Sequence, residues 1–362
     1  MTKILYLIDG LGVGGAERQL SLLLKYLPTS WNSRVVSLGG GAYYQTLIEQ
    51  GTSVKVYQRR SRFDLSIVTK LYREILRYQP EIIHTWGGLC SALAAPLCKV
   101  LRIKMIDGSI RIAGTNRHRF RRKITFALAD HIVANSYAGL AAFQAPAKKS
   151  SVIYNAMDPE RLKLVAHKVP SPNKSTTVVM AARISPFKDF ITFFEAARLL
   201  NVHQPGCWKF LAIGTGDDKD RLNFQKQAAD LLATGVVELP EAGLEVLPYL
   251  QKADIGVLLS AACFKEGLSN TIMEYMFCRL PVICTNSGGN KELVLDGETG
   301  FVIQPENIDA FITKLYYLKD NPEIARRMGD AGYTRVINMC AIDRMTHQYE
   351  TLYNQLLSDR FQ

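Results

Sequence analysis

Glu266 and Glu274 stand eight residues apart in "FKEGLSNTIMEYM", a spacing that suits a ligand rich in hydroxyl groups. The pattern predicts a helix over about 271–279, beginning near Ser269 to Thr271. Glu266 then lies in the loop ahead of the helix and Glu274 in its first turns. The backbone N–H groups from Leu268 to Thr271, next to Gly267, face outward as donors to an anion. One carboxylate per hydroxyl pair, with backbone donors between, matches a polyhydroxylated phosphate ester. The same residues also read as a capping box, Thr271-x-x-Glu274, which would give Glu274 a purely local role.

Three further loops follow predicted strands. "MAARISPFKDF" offers Arg183 and Lys188, two cations separated by a turn at Pro186, which either clamp a diphosphate or belong to an ordinary surface loop. "AIGTGDDKDRL" sets Gly214 and Gly216 before a helix, a candidate anion seat. Its Asp218 and Asp220 spell the D-x-D of metal-dependent sugar transferases. They fall in the first turn of that helix, where carboxylates are favoured by the dipole, so no metal ligand is expected. "TNSGGNKELVLDGETGFVI" has Gly288 and Gly289 after a strand and is expected to close the site. Contacts that select base and hexose are expected near "VVELPEAG", which includes Leu239, and near "ACFKEG".

The opening "LIDGLGVGGAERQL" contains a G-x-G-x-x-G at Gly10, Gly12 and Gly15. A nicotinamide site needs an acidic residue some 20 positions on, at the end of the second strand. That strand, "SRVVSLGGG", ends in glycines, and no carboxylate occurs between Glu17 and Glu49, so the dinucleotide reading fails. A strand, a flexible loop and a helix from about Ala16 survive, with the positive helix end free to face an anion.

These loops need a scaffold of strands that end in a row. Apolar β-type runs alternate with helical patterns through "KILYLI", "SRVVSL", "SVKVYQ" and "EIIHTW". They restart after a proline-, serine- and lysine-rich stretch at 167–176 with "TTVVMAA", "WKFLAIG", "ADIGVLLS" and "PVICT". Such alternation predicts parallel sheets with helices on both faces. The fold class is α/β, with two Rossmann-like domains facing each other across a cleft. The expected boundaries are 1–168 and 169–344, a C-terminal helix at about 345–362 packing back on the first domain.

The 362 residues are 48% hydrophobic and 21% charged, enough to bury two cores. The seven cysteines form no C-x-x-C pair, which argues against zinc and a disulfide framework and for a reducing cytoplasm. The N-terminal apolar run is too short for a signal peptide, and "GGLCSALAAPLCKVL" is broken by Pro96 and Lys99, so no membrane span is expected. The net charge of +11 is lopsided: residues 1–170 hold 25 Lys/Arg against 10 Asp/Glu, giving +15, and the rest hold 19 against 23, giving −4.

From "GGAERQL" through "VIYNAMD", "ARISPFKD", "GTG" and "KEGLSNTIMEYM" to "LPVICTNSGGNKELVLDGETGFV", the chain resembles glycosyltransferase family 4, the retaining nucleotide-sugar transferases of GT-B fold. The resemblance implies that the first domain serves the acceptor and the second the donor. Gly14 and Gly15 would reach the donor's phosphates and sugar, Arg183 and Lys188 would neutralise the diphosphate, Glu274 would bind the ribose, and Glu266 the sugar hydroxyls. Gly214, Gly216, Leu239, Gly267, Leu268 and Ser269 complete the donor set. His84 in "EIIHTWGG" matches a histidine common in the family, with either a catalytic or a structural role. The histidine that many members carry after the segment here written "RIKMIDGSIR" is replaced by Gly108, Ser109 and Arg111.

The implied activity is transfer of a hexose, from a UDP-sugar rather than a GDP-sugar, to a lipid-linked or polysaccharide acceptor, with retention and without a metal or other cofactor. A nucleotide-sugar epimerase and a non-catalytic nucleotide-sugar-binding subunit are the alternatives. Arg111, Arg117, Arg119, Arg121, Arg122 and Lys123 suggest a basic face for anionic lipid at the inner side of the cytoplasmic membrane, or for the diphosphate of a lipid-linked acceptor. The run has a single aromatic, Phe120, and lacks the stacking pattern of nucleic-acid binders.

Overall fold

The computed structural model describes residues 1–61, 64, 66–114, 119–163, 175–240 and 245–358. It divides into two compact units, one comprising residues 1–156 with 341–362 and the other residues 157–340. The division falls at 156/157, ahead of the boundary expected from composition, and the chain returns to the first unit at 341. Packing sets these points: the Gln19 side chain holds both backbone groups of Ala156, at 3.0 and 2.8 Å, while Met157 N–H donates to Cys340 C=O at 2.9 Å.

The first unit contains a seven-stranded sheet with strands β1 (Thr2–Ile8), β2 (Trp31–Ser37), β3 (Ser53–Val56), β4 (Ile82–Thr85), β5 (Lys104–Ile110), β6 (His131–Ala134) and β7 (Ser150–Val152). All pairings are parallel and the order is β3-β2-β1-β4-β5-β6-β7. "ILYLI" of β1 is buried on both faces, as a central parallel strand requires. One face packs Ile4, Tyr6 and Val35 against Leu20 and Leu23 of helix Gly15–Tyr26 and against Met345, Tyr349, Leu352 and Tyr353 of helix Ile342–Ser358. The C-terminal helix is thus part of this core. The other face packs Leu5, Leu7 and Ile83 against helices Ser66–Tyr78 and Gly88–Leu101.

The second unit repeats the plan with β8 (Thr176–Ala181), β9 (Trp208–Ile213), β10 (Val237–Glu238), β11 (Ile255–Leu258), β12 (Val282–Thr285) and β13 (Gly300–Ile303), all parallel in the order β10-β9-β8-β11-β12-β13. Its core is aromatic: Phe190, Phe193, Phe194, Phe210 and Phe224 meet largely edge to face. Strand order reverses between β8 and β11, the point where ligands of open α/β sheets bind, outside the carboxyl ends of the strands.

Candidate functional site

In the second unit, the loops carrying the predicted donor residues leave the carboxyl ends of β8, β9, β10 and β11. Those after β8 and β11 lie on either side of the reversal and are stitched together. Asp189 N–H donates to Leu259 C=O at 3.0 Å, Ala261 N–H donates to Phe187 C=O at 3.1 Å, and Lys188 bridges Ser260. This pairing places the Lys188 ammonium on Oε1 of Glu266, an ion pair almost shielded from water. Ser260 Oγ donates to the same oxygen at 2.5 Å. The Glu266 backbone is fixed as well, its N–H donating to Ser287 Oγ at 3.2 Å and its C=O accepting from Gly289 at 3.0 Å. Gly289, expected only to close the site, helps position its central carboxylate. Arg183 is exposed in the loop after β8.

Glu274 sits in helix Asn270–Phe277, whose N-cap is Ser269: its Oγ accepts the Ile272 N–H at 3.3 Å. The capping-box reading of Thr271 is therefore corrected. Thr271 lies inside the first turn, and Glu274 is too far along the helix to reach the cap. Instead Glu274 is buried with Arg161, whose Nη1 donates to Oε1 at 2.8 Å while Nη2 reaches Glu245 at 2.7 Å. Arg161 escaped the sequence reading, although it lies three residues after "VIYNAMD". Tyr275 anchors the helix beneath the reversal, its hydroxyl accepting Ala181 N–H at 2.6 Å and donating to Val257 C=O at 3.0 Å.

Gly214 and Gly216 have another structural cause than an anion seat. A methyl on Gly214 would lie 2.0 Å from Ala182 O, and one on Gly216 2.7 Å from Ile184 O, because the Arg183 loop runs against them. The following helix, Asp218–Gln227, is capped by Asp217, which accepts from Asp220 N–H at 2.9 Å, with Asp218 and Asp220 in the first turn. Three carboxylates thus gather at the start of this helix, and the glycines ahead of it make room for the Arg183 loop. Leu239 follows edge strand β10, half-buried against the core, and Gly267 and Leu268 are buried before the cap. Among the described residues no group of three His, Cys, Asp or Glu side chains could hold a metal ion.

Gly14, Gly15 and His84 belong to the first unit. Gly14 is the extended N-cap of helix Gly15–Tyr26. His84 is wholly buried in β4, ringed by Tyr6, Trp86, Tyr349 and Tyr353. Its Nδ1 lies 2.9 Å from the Tyr353 hydroxyl, which lies 3.2 Å from that of Tyr6. Burial, and secondarily the Arg111 charge, hold its pKa well below the usual value of 6.5, so the ring is neutral. The basic run is not one solvated face. The Arg111 guanidinium stacks 3.9 Å from the Trp86 ring centre and that of Arg122 3.6 Å from Phe143; Lys123 is exposed. Arg117 and the Arg119 side chain lie outside the described residues. No helix among the described residues is long and apolar enough to cross a membrane.

The family model "Glycosyltransferase Family 4" matches residues 13–161 and "Glycosyl transferases group 1" matches residues 165–335. The chain belongs to glycosyltransferase family 4. It is similar to the lipopolysaccharide core biosynthesis glycosyltransferase LpsE of Rhizobium meliloti, with 23% identity over 93% of this chain and 94% of the relative. A glycosyltransferase of Haemophilus influenzae is 25% identical over 91% of this chain and 94% of its own length. Among solved structures, Anabaena HepE in complex with UDP-glucose superposes with a TM-score of 0.83 at 21% identity, covering 98% of this chain and 100% of that one. The fold is GT-B, and the protein is a glycosyltransferase.

Proposed function

We propose that the protein transfers a hexose from UDP-hexose to a lipid-linked or polysaccharide acceptor, with retention of anomeric configuration and without a metal. The Lys188–Glu266 ion pair at the β8/β11 reversal carries this reading. A donor entering there exchanges one buried ion pair for two complementary contacts. The ammonium turns to the diphosphate, and the carboxylate accepts hydrogen bonds from the sugar's hydroxyls. Lys188 and Arg183 then stabilise the charge that develops on the departing diphosphate. Glu274, held by Arg161, takes the ribose hydroxyls. The resemblance to the family's retaining members supports attack on the face from which the phosphate leaves, that phosphate accepting the acceptor's proton.

Uracil as base, and a cell-surface glycan as product, are supported by the UDP-glucose bound to the HepE neighbour and by the role of the LpsE relative in lipopolysaccharide core synthesis. Work at the inner face of the cytoplasmic membrane is supported by the +15 balance of residues 1–170 and by helix Arg119–Leu128, where Phe120 is 78% and Ile124 45% exposed beside Lys123.

A thermal-shift panel of UDP, GDP, ADP and their sugars tests the donor. UDP at 100 times its dissociation constant should add about 2.7 kcal/mol of stability; a shift with GDP alone would overturn the uracil assignment. Incubation with donor alone separates the classes, since an epimerase makes a second nucleotide sugar without acceptor and a binding subunit makes nothing with one.

A further inference from the structure

We infer that Arg111, Arg121 and Arg122, with His84, form a phosphate-binding site at the carboxyl ends of β4 and β5, built for a phosphate or diphosphate ester of the acceptor. The assignment to an acceptor rests on the transferase reading above; the anion site itself does not. Five buried side-chain polar atoms in this region have no hydrogen-bond partner: His84 Nε2, Trp86 Nε1, Asp107 Oδ2, Arg111 Nη2 and Arg122 Nη1. Four of the five belong to potential donors. Leaving a charged donor buried and unpaired is costly, so such a cluster points to a ligand that supplies acceptors.

The geometry draws these groups together. A methyl placed on Gly108 would lie 2.7 Å from Thr85 O, 2.9 Å from His84 Nε2 and 3.4 Å from Arg111 Nη2, so the two donors border Gly108 together with one backbone acceptor. Arg121 Nη2 would lie 3.4 Å from a methyl on Gly88, where helix Gly88–Leu101 begins. Arg122, in the same helix as Arg121, feels the charges of Asp107 and Arg121. Two carboxylates are close: Asp9 is committed to the start of a helix, while Asp107 has one oxygen bonded and the other, Oδ2, without a hydrogen-bond partner. Asp9 accepts from Leu89 and Cys90 N–H at 3.2 and 2.8 Å, and Asp107 Oδ1 accepts from Ser91 Oγ and Ser109 N–H at 2.9 and 3.0 Å. Among the described residues neither forms an ion pair with any of the three arginines. Asp9 already caps the helix, so the guanidiniums rather than the helix end are the seat.

Three guanidiniums against two carboxylates, one of them with an oxygen still unpaired, leave a net positive charge of one. Planar guanidiniums grip phosphate oxygens through paired N–H bonds. Their donors outnumber what one carboxylate could accept. Neutral His84, with Nδ1 on Tyr353, adds a donor at Nε2 when the Tyr353 hydroxyl donates to Nδ1.

Calorimetric titration of the full chain with inorganic pyrophosphate tests this. Two sites are expected, one lost in Lys188→Gln and the other weakened about tenfold or more in Arg111→Gln and in Arg122→Gln, with UDP affinity unchanged in both. Arg111→Lys should fall between. A single site that Lys188→Gln removes, or a second site indifferent to all the arginine variants, overturns the inference. Failure of the wild type to bind UDP overturns the donor reading alone, because the arginine-dependent site would still titrate. Should the variants misfold, the wild type decides: with UDP saturating, pyrophosphate must move the His84 imidazole nitrogen resonances, and unmoved resonances overturn the site. Glucose 1-phosphate and a short isoprenyl diphosphate then distinguish the carrier. Equal affinity assigns a soluble phosphorylated glycan and tighter binding of the isoprenyl compound a lipid-linked one, the site standing in both cases.

Discussion

Lys188 and Glu266 neutralise one another while each is shielded from water, so neither is free until a ligand divides them. Lys188→Ala should lower turnover by about two orders of magnitude, roughly the 3 kcal/mol that one charge-assisted contact to a developing anion contributes, and Glu274→Ala, which loses the ribose contact, should lower kcat/KM. Circular dichroism should show an intact fold, and near-normal turnover in the first variant or near-normal kcat/KM in the second would remove that residue from the site. His84 gives a pH prediction with a definite sign. Its folded-state pKa is depressed, so the unfolded chain binds the proton more readily; the stability tied to the neutral ring is complete above about 6.5 and declines as pH falls from there toward the folded-state value. Melting temperatures at pH 7 and pH 5 should differ more for the wild type than for His84→Gln, and equal differences would count against a neutral buried ring. The types and spacing of Arg183, Lys188 and Glu266 were legible in the sequence because each lies in a loop after an apolar run that ends a strand, and Glu274 because it lies in the helix that follows such a loop. Their partners were not: Arg161 lies 113 positions from Glu274, and no local pattern announces a contact at that separation.

Helix Asn270–Phe277 joins both sides of the sheet reversal, because the Tyr275 hydroxyl links Ala181 at the end of β8 to Val257 in β11. Tyr275→Phe leaves the Ala181 N–H buried without an acceptor, at a cost of about 1–3 kcal/mol. The denaturation midpoint should fall accordingly, and an unmoved midpoint would show that the phenol ring alone anchors the helix. Ser269→Ala removes the cap and should cost about 1 kcal/mol. The helix itself was expected within a residue or two of its place, since its apolar face and the polar run before it are local signals. Its cap was left open between Ser269 and Thr271, both good caps, and only the turn leaving β11 decides for Ser269. The basic stretch was legible only as charge. Composition reports the charges of Arg111 and Arg122, but not that one lies on Trp86 and the other on Phe143.

The two units share a plan but not a continuous chain. The first is completed only by helix Ile342–Ser358, which reaches it after the whole second unit has been traversed. A polar linker was visible at 167–176, yet the true division depends on which core receives the last helix, a non-local fact. Ile342, Met345, Tyr349, Leu352, Tyr353 and Leu356 are all buried in the first unit's core. Trp31 also donates from Nε1 to Glu350 at 3.1 Å, and Tyr353 holds His84. Burial of each such apolar side chain stabilises by about 1.5–3 kcal/mol, so six together match or exceed the roughly 5–15 kcal/mol that keeps a domain folded. A chain ending at Cys340 should therefore lose the first unit while the second survives. Limited proteolysis of that truncated chain should leave a protected fragment near residues 157–340 and digest residues 1–156, whereas the full chain yields protected fragments from both units. Two fragments of equal resistance from the truncated chain would mean that the last helix merely decorates a core that stands without it.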